Sequence, residues 1–326
     1  MKGGFRAAAA VDVRLHTRPL SIFVFLVSVL IMIAVVVECS NLIGVGDPHR
    51  TTAEEYRQQL ADIERQLAAP SSSPMDPAGH EYLLFRKAMI ERCLATGTDA
   101  SQYIELVALS DDYSDYGQKE CVYFMFGVVI AVIAFICAMR GAWRMSEMCS
   151  PQIRMLTLGD RSRGEMLAAG FAFDAAALTL LTIVAFAMRS ILAASRGIAY
   201  FYVYGAAPSF GSVHELFFAQ FLAALALGAA CYFGGFLAAT ISRRSRALVG
   251  VLIFFCVAAL FVAIAAMLEY VVPDGPTLLL QIPLFGVAFS LAGFREYPYW
   301  VQLALCALAI AAFLPLSVRK YKRISL

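Results

Sequence analysis

Long uncharged apolar stretches alternate with charged ones along this chain, and their lengths set its organisation. Runs free of Asp, Glu, Lys and Arg cover Pro19 to Val37, Cys121 to Met139, Leu216 to Ser242, Ala247 to Leu268 and Tyr297 to Val318. Each holds about 20 residues, the length an α-helix rising 1.5 Å per residue needs to cross roughly 30 Å of hydrocarbon. A sixth run, Met166 to Met188, is interrupted only by Asp174. Gly275 to Phe294 is uncharged as well, but Pro276, Pro283, Gly286 and Gly293 cut it into short pieces, so it reads as a re-entrant hairpin.

The pattern predicts an all-α integral membrane protein of six transmembrane helices, spanning 19–39, 121–139, 166–189, 215–242, 247–268 and 297–318. Residues 1–18 read as a cytoplasmic interfacial helix, because small, apolar and basic residues alternate there. A helical extracytoplasmic domain fills 40–120, a cytoplasmic loop 140–165, an outer loop 190–214, a short inner loop 243–246 and the hairpin 269–296, with a cytoplasmic tail at 319–326. The outer domain opens on a capping box, Thr52-Ala-Glu-Glu55, followed by Tyr56, Leu60, Ile63 and Leu67 on one helical face. A second helix is expected over Tyr82 to Leu94 and a third over Ala100 to Leu109. The acidic stretch Asp111 to Asp115 lacks the Asp-x-Asp-x-Asp-Gly spacing and closing Glu of a calcium loop.

Composition agrees with the membrane reading: 60% of residues are hydrophobic, 15% are charged and the mean hydropathy is +0.72. A net charge of +2 supplies no global basic field, and nucleic acid is not an expected partner. The placement of charge sets the topology, since Lys and Arg beside span ends are retained in the cytoplasm. With both termini inside, 16 of the 26 basic residues fall in short inner segments, whereas Ser40 to Glu120 carries 7 basic and 14 acidic residues. The expected location is the plasma (inner) membrane, multi-pass. The first span offers no small-x-small cleavage site at Val36-Val37-Glu38-Cys39 and reads as an uncleaved anchor. Cys39, Cys93 and Cys121 face the oxidising side in this topology, and which of them pair is open.

Candidate chemistry is sparse. No Gly-x-x-x-x-Gly-Lys-Ser/Thr loop occurs, so the chain carries no phosphate cradle of that type and energy must come from a partner or a gradient. His214-Glu215 lacks the second histidine of a zinc protease, and Ser209, Ser212 and His214 fit helix capping better than serine catalysis. Asp174, two turns into the third span, is the one intramembrane polar site, expected to face a protein or water-filled interior. Glu38, Arg189 and Glu269 lie at span ends, within reach of the interface. Small residues of the fourth span, Gly228, Gly234, Gly235 and Ala239 among them, permit close helix approach within a subunit or across a dimer. Tyr200, Phe201, Tyr202 and Tyr204 suit an outer aromatic belt, or contact with a substrate.

The inner loop is the remaining signal. It is far longer than a helix connection needs; Ser146 is expected to cap a helix starting near Glu147, with Ile153, Leu156 and Leu158 beside Arg154, before Gly159-Asp160 turns the chain into Arg161-Ser162-Arg163. The layout resembles the membrane subunits of the type-2 ABC permease family in its basic interfacial helix, enlarged outer loop, long inner loop and broken hairpin before the last span. Within the loop, Glu147 and Ser162-Arg163 match the family pattern; Gly159-Asp160-Arg161 stands where that pattern has Pro-Val, and Gly170 roughly where it has Lys.

The resemblance implies a permease that forms the translocation pathway as a homodimer or heterodimer. It implies Glu147, Arg154, Arg161, Ser162 and Arg163 as coupling residues docked on a cytoplasmic ABC ATPase subunit. That partner, not this chain, binds ATP and Mg, so no cofactor, metal or catalytic residue is assigned here and membrane lipid is the other partner. The alternatives are a membrane sensor or scaffold with a ligand-binding outer domain, and an intramembrane enzyme built on Asp174.

Overall fold

The computed structural model describes residues 8–10, 25–34, 36, 51–68, 77–107, 119–150, 163–204, 209–241, 249–250, 252–253, 256 and 299–323. Apolar helices dominate. α1 (Phe25–Ala34) is a short one. α2 (Ala53–Ala68) and α3 (Pro77–Thr96) form a hairpin, and α4 (Lys119–Met148), α5 (Arg163–Ser195), α6 (Val213–Ile241) and α7 (Tyr299–Arg323) are long. By length and composition the last four suffice to cross a membrane, through Val129–Met148, Arg163–Ser195, Val213–Thr240 and Trp300–Arg323. This is the pattern of a multi-pass membrane protein. The fifth predicted span and the hairpin 269–296 lie almost wholly outside the described residues.

α6 is the centre of the bundle, packing most extensively on α4, then on α7 and α5. Glycines permit the α4–α6 contact: a Cβ on Gly141 would overlap the Tyr232 carbonyl, and one on Gly235 the Ala138 carbonyl. Gly228 brings the same seam to the Cys137 thiol, 3.0 Å from where a Cβ would stand. Close backbone approach at small residues is the usual way apolar helices associate in lipid, where Leu gains nothing by leaving the acyl chains. The small residues of the fourth predicted span therefore serve packing within the subunit. Trp143 and Trp300, the chain's two tryptophans, are exposed near opposite ends of the bundle, the placement expected of aromatic anchors at two interfaces.

Beyond one end of the bundle sits a cap. Its α2 begins as the capping box predicts: the Thr52 amide donates to Glu55 Oε2 at 2.6 Å and the Glu55 amide to Thr52 Oγ1 at 3.3 Å. α3 and α5 both stop at a glycine of positive φ, Gly97 (65°) and Gly197 (71°). In each the next amide reaches back five residues to a carbonyl of the last helical turn, Thr98 to Cys93 at 3.1 Å and Ile198 to Ala193 at 3.0 Å, the Schellman closure that Gly makes cheap.

Each glycine leads into a strand. A 3₁₀ turn at Ala100–Gln102 precedes β1 (Tyr103–Val107), and β2 (Tyr200–Tyr204) is followed by β3 (Ser209–Ser212). β1 and β2 pair parallel with Tyr103 opposite Tyr200, while β2 and β3 pair antiparallel. The third outer helix expected over Ala100 to Leu109 is thus a turn and a strand, and the all-α expectation gives way to a mostly helical chain with one small sheet. The aromatic stretch expected as a membrane belt is the central strand. Its period-2 alternation explains why: Tyr200 packs into the cap core with Tyr103 and Phe210, and Phe201 into the bundle core. Since β1 follows α3 and β2 follows α5, segments 40–120 and 190–214 meet at one end of the bundle.

Candidate functional site

At the end of the bundle away from the cap, α4 does not stop where the uncharged run stops. The run ends at Met139, yet the helix continues for nine residues to Met148, because Arg140, Arg144 and Glu147 recur at i, i+4 and i+7 and share one face. No helix starts at Ser146; Glu147 lies in the last turn of α4. The face meets α5 at Asp174, so the sequence's lone intramembrane acid is buried in protein, its side chain 2% exposed.

Arg144 binds the carboxylate as a fork, Nε to Oδ2 at 2.7 Å and one terminal nitrogen to Oδ1 at 2.7 Å. Arg140 Nε donates to Oδ1 at 2.8 Å, and the Tyr232 hydroxyl of α6 donates to Oδ2 at 2.6 Å. Two ionised oxygens offer about four lone-pair sites, and all four are used. Glu147 completes the group, accepting from Arg140 at 3.1 and 3.3 Å and pairing with Arg144 at 3.3 Å. Two guanidiniums thus face two carboxylates, the balance a buried ionic group needs.

Three local choices make this geometry. The Gly141 and Gly235 contacts bring α6 close enough for Tyr232 to reach α5. Gly170, one turn before Asp174, leaves room for Arg144: a Cβ there would stand 3.1 Å from the guanidinium carbon. Phe171, the next residue, packs edge-on against Tyr232, Phe233 and Phe236 at 5.3 to 5.8 Å between centroids, fixing the rotation of α5 on α6. A Lys at Gly170, as the family pattern has it, would press its Cβ on the Arg144 guanidinium and the Met148 methyl, both 3.1 Å away.

Of the predicted coupling residues, Glu147 belongs to this cluster and Arg163 is the first residue of α5; Arg154, Arg161 and Ser162 lie outside the described residues. What the sequence reading missed is the pairing of Arg140 and Arg144 with Asp174. The signal was present as basic residues at helical spacing beyond one apolar run and an acid near the matching end of the next.

A second buried polar pair lies nearer the cap. Arg189, expected to reach the interface, is 7% exposed because α5 continues to Ser195. It donates to Gln220 Oε1 at 2.7 Å and lies over the Phe217 ring at 4.6 Å, a stacked cation in an apolar setting. Ser212 caps α6 as expected, its hydroxyl accepting from the His214 amide at 3.3 Å.

In the cap, Asp99 accepts from the Ser101 amide at 2.9 Å and the Thr51 amide at 2.8 Å. Burial works to raise its carboxyl pKa, but these bonds and those from the Ser101 and Tyr56 hydroxyls outweigh it and hold the group below its ordinary value. Cys93 is a free thiol, buried; burial pushes it above its ordinary value against hydrogen bonds to Tyr56 and Thr98. Among the described residues no group of His, Cys, Asp and Glu is arranged to hold a metal.

Comparison with known proteins brings no match: no family model, no curated protein and no solved structure aligns significantly with the chain.

Proposed function

We propose that this chain is the membrane-spanning permease subunit of an ATP-driven exporter of the type-2 ABC kind. On this reading it has six spans with both termini and residues 140–165 in the cytoplasm of the plasma membrane, works as a dimer, and is driven by separate ATPase subunits that bind ATP and Mg. The observation that carries the reading is the placement of the ionic cluster. Ser150 and Arg163 bound a segment of twelve residues, 151–162, and the helices entering and leaving it are clamped together by Arg140, Arg144, Glu147 and Asp174. Tyr232 adds α6 to the clamp. A force on the segment therefore moves three long helices as one body, which is what a handle for a motor protein requires.

Copurification tests it. The chain is expected to retain a soluble ATPase whose activity in the complex falls at least tenfold after Arg161→Glu/Arg163→Glu; an unchanged complex with unchanged turnover removes the coupling role. A sensor that passes a signal from the cap is the second reading, favoured by the direct run of β3 into α6 at Ser212 and Val213. It predicts no associated ATPase. The enzyme reading is the least favoured of the three, because both oxygens of Asp174 already accept hydrogen bonds from Arg140, Arg144 and Tyr232.

A further inference from the structure

The last turns of α7 hold Arg319, Lys320, Lys322 and Arg323, all exposed, and none of them is ion-paired to a described residue. Tyr321, between them, is 1% exposed and packs with Ala142, Met145 and Met166 at the same end of the bundle as the ionic cluster. Ser317, one turn earlier, is also buried, its hydroxyl 3.5 Å from the Phe233 carbonyl. These two inward anchors fix the rotation of the helix. The opposite side is then committed: Pro315, Val318, Arg319, Lys322 and Arg323 frame one open depression of about 540 Å³.

The depression is graded along the helix. Pro315 and Val318 form an apolar rim on the bilayer side, and the three cations lie a turn beyond, where the span meets water. From Trp300 to Arg319 the helix rises about 28 Å at 1.5 Å per residue, close to the roughly 30 Å of a hydrocarbon core. The cations therefore sit at the depth of lipid phosphates. Guanidiniums match phosphate oxygens in fork geometry, and the apolar rim matches the glycerol and first methylenes below a phosphate. α7 is also the least covered long helix, with 17% of its apolar window buried, so a lipid held here supplies contacts the protein does not.

We propose that Arg319, Lys322 and Arg323, over the rim of Pro315 and Val318, seat the head group of one anionic phospholipid. The full chain in non-ionic detergent is titrated with phosphatidylglycerol or phosphatidylcholine, with native mass spectrometry counting bound lipid. One phosphatidylglycerol binds in preference to phosphatidylcholine, and its affinity falls as salt rises.

Arg319→Gln/Lys322→Gln/Arg323→Gln weakens it about a hundredfold, each cation near an anionic surface being worth about a factor of five. Lys320→Gln, off the depression, changes it less than about fivefold. Equal retention of the two lipids, salt-independent affinity, or wild-type binding by the triple variant overturns the site. Displacement by an equal concentration of inorganic phosphate overturns the lipid in favour of a small anion. The salt and lipid comparisons use the unaltered chain, so they decide even where the triple variant misfolds.

Discussion

At one end of the bundle a single carboxylate, Asp174, takes hydrogen bonds from two arginines and a tyrosine on two other helices. At the other, two short helices and three strands gather apolar side chains around Tyr56, Ile63 and Cys93. Both regions join segments far apart in the chain, but they distribute the energy differently. In the ionic cluster it is concentrated, because removing Asp174 or Arg144 strands the other where water does not reach it. In the cap it is spread over many contacts, and water stands close to most polar groups.

Asp174→Asn strikes the concentrated charge directly, leaving Arg144 buried beside a neutral group. A loss of about 3–5 kcal/mol is expected, read as unfolding in detergent at lower denaturant. The double change Asp174→Leu/Arg144→Met should cost less than either single change, since an apolar pair restores the match of burial and polarity. A larger loss in the double variant would deny that the two residues act as a pair. Next in size is Gly235→Val, which presses a branched side chain on the Ala138 carbonyl and separates Tyr232 from Asp174. It should cost about 1–3 kcal/mol as overpacking and leave the cap folded.

The cap predicts a smaller, pH-dependent effect. Because the folded state holds Asp99 below its ordinary carboxylate value, its contribution is complete above that value and is lost as pH falls through the lowered one. Cap unfolding, followed by reaction of the buried Cys93 thiol with a pyridyl disulfide, which stays reactive towards thiols in acid, should accelerate on acidification below the ordinary carboxylate range, and Asp99→Asn should flatten that dependence. Smallest of all is the exposed pair of Lys87 with Glu64, 2.8 Å apart: Lys87→Ala should leave the melting temperature of the cap unmoved. A large shift there would mean that the cap, too, depends on a concentrated charge.

Much of the cap's first helix was legible in local sequence. Thr52 and Glu55 specify a start through bonds between residues three apart, and Tyr56, Ile63 and Leu67 specify the buried face through period alone. The strands were not legible, because β1 and β2 are stable only as partners and their residues are nearly a hundred positions apart. Aromatic content read Tyr200 to Tyr204 as a belt; only pairing reveals that the neighbouring Tyr200 and Phe201 rings face different cores.

At the site, charge misled in the same way. Arg140 and Arg144 count as topogenic basic residues in any linear reading, and their partner lies on the next helix.

That this chain has helices long and apolar enough for a membrane is readable from its residues alone, since it depends only on run length against a fixed hydrocarbon thickness. The same residues require that Asp174 be sheltered, since an acid in an apolar run has no solvent of its own. Which groups shelter it depends on how the helices pack. That choice depends on the Gly141 and Gly235 crossing, on the space above Gly170 and on the phase of α4 beyond Met139, and no one segment contains all three.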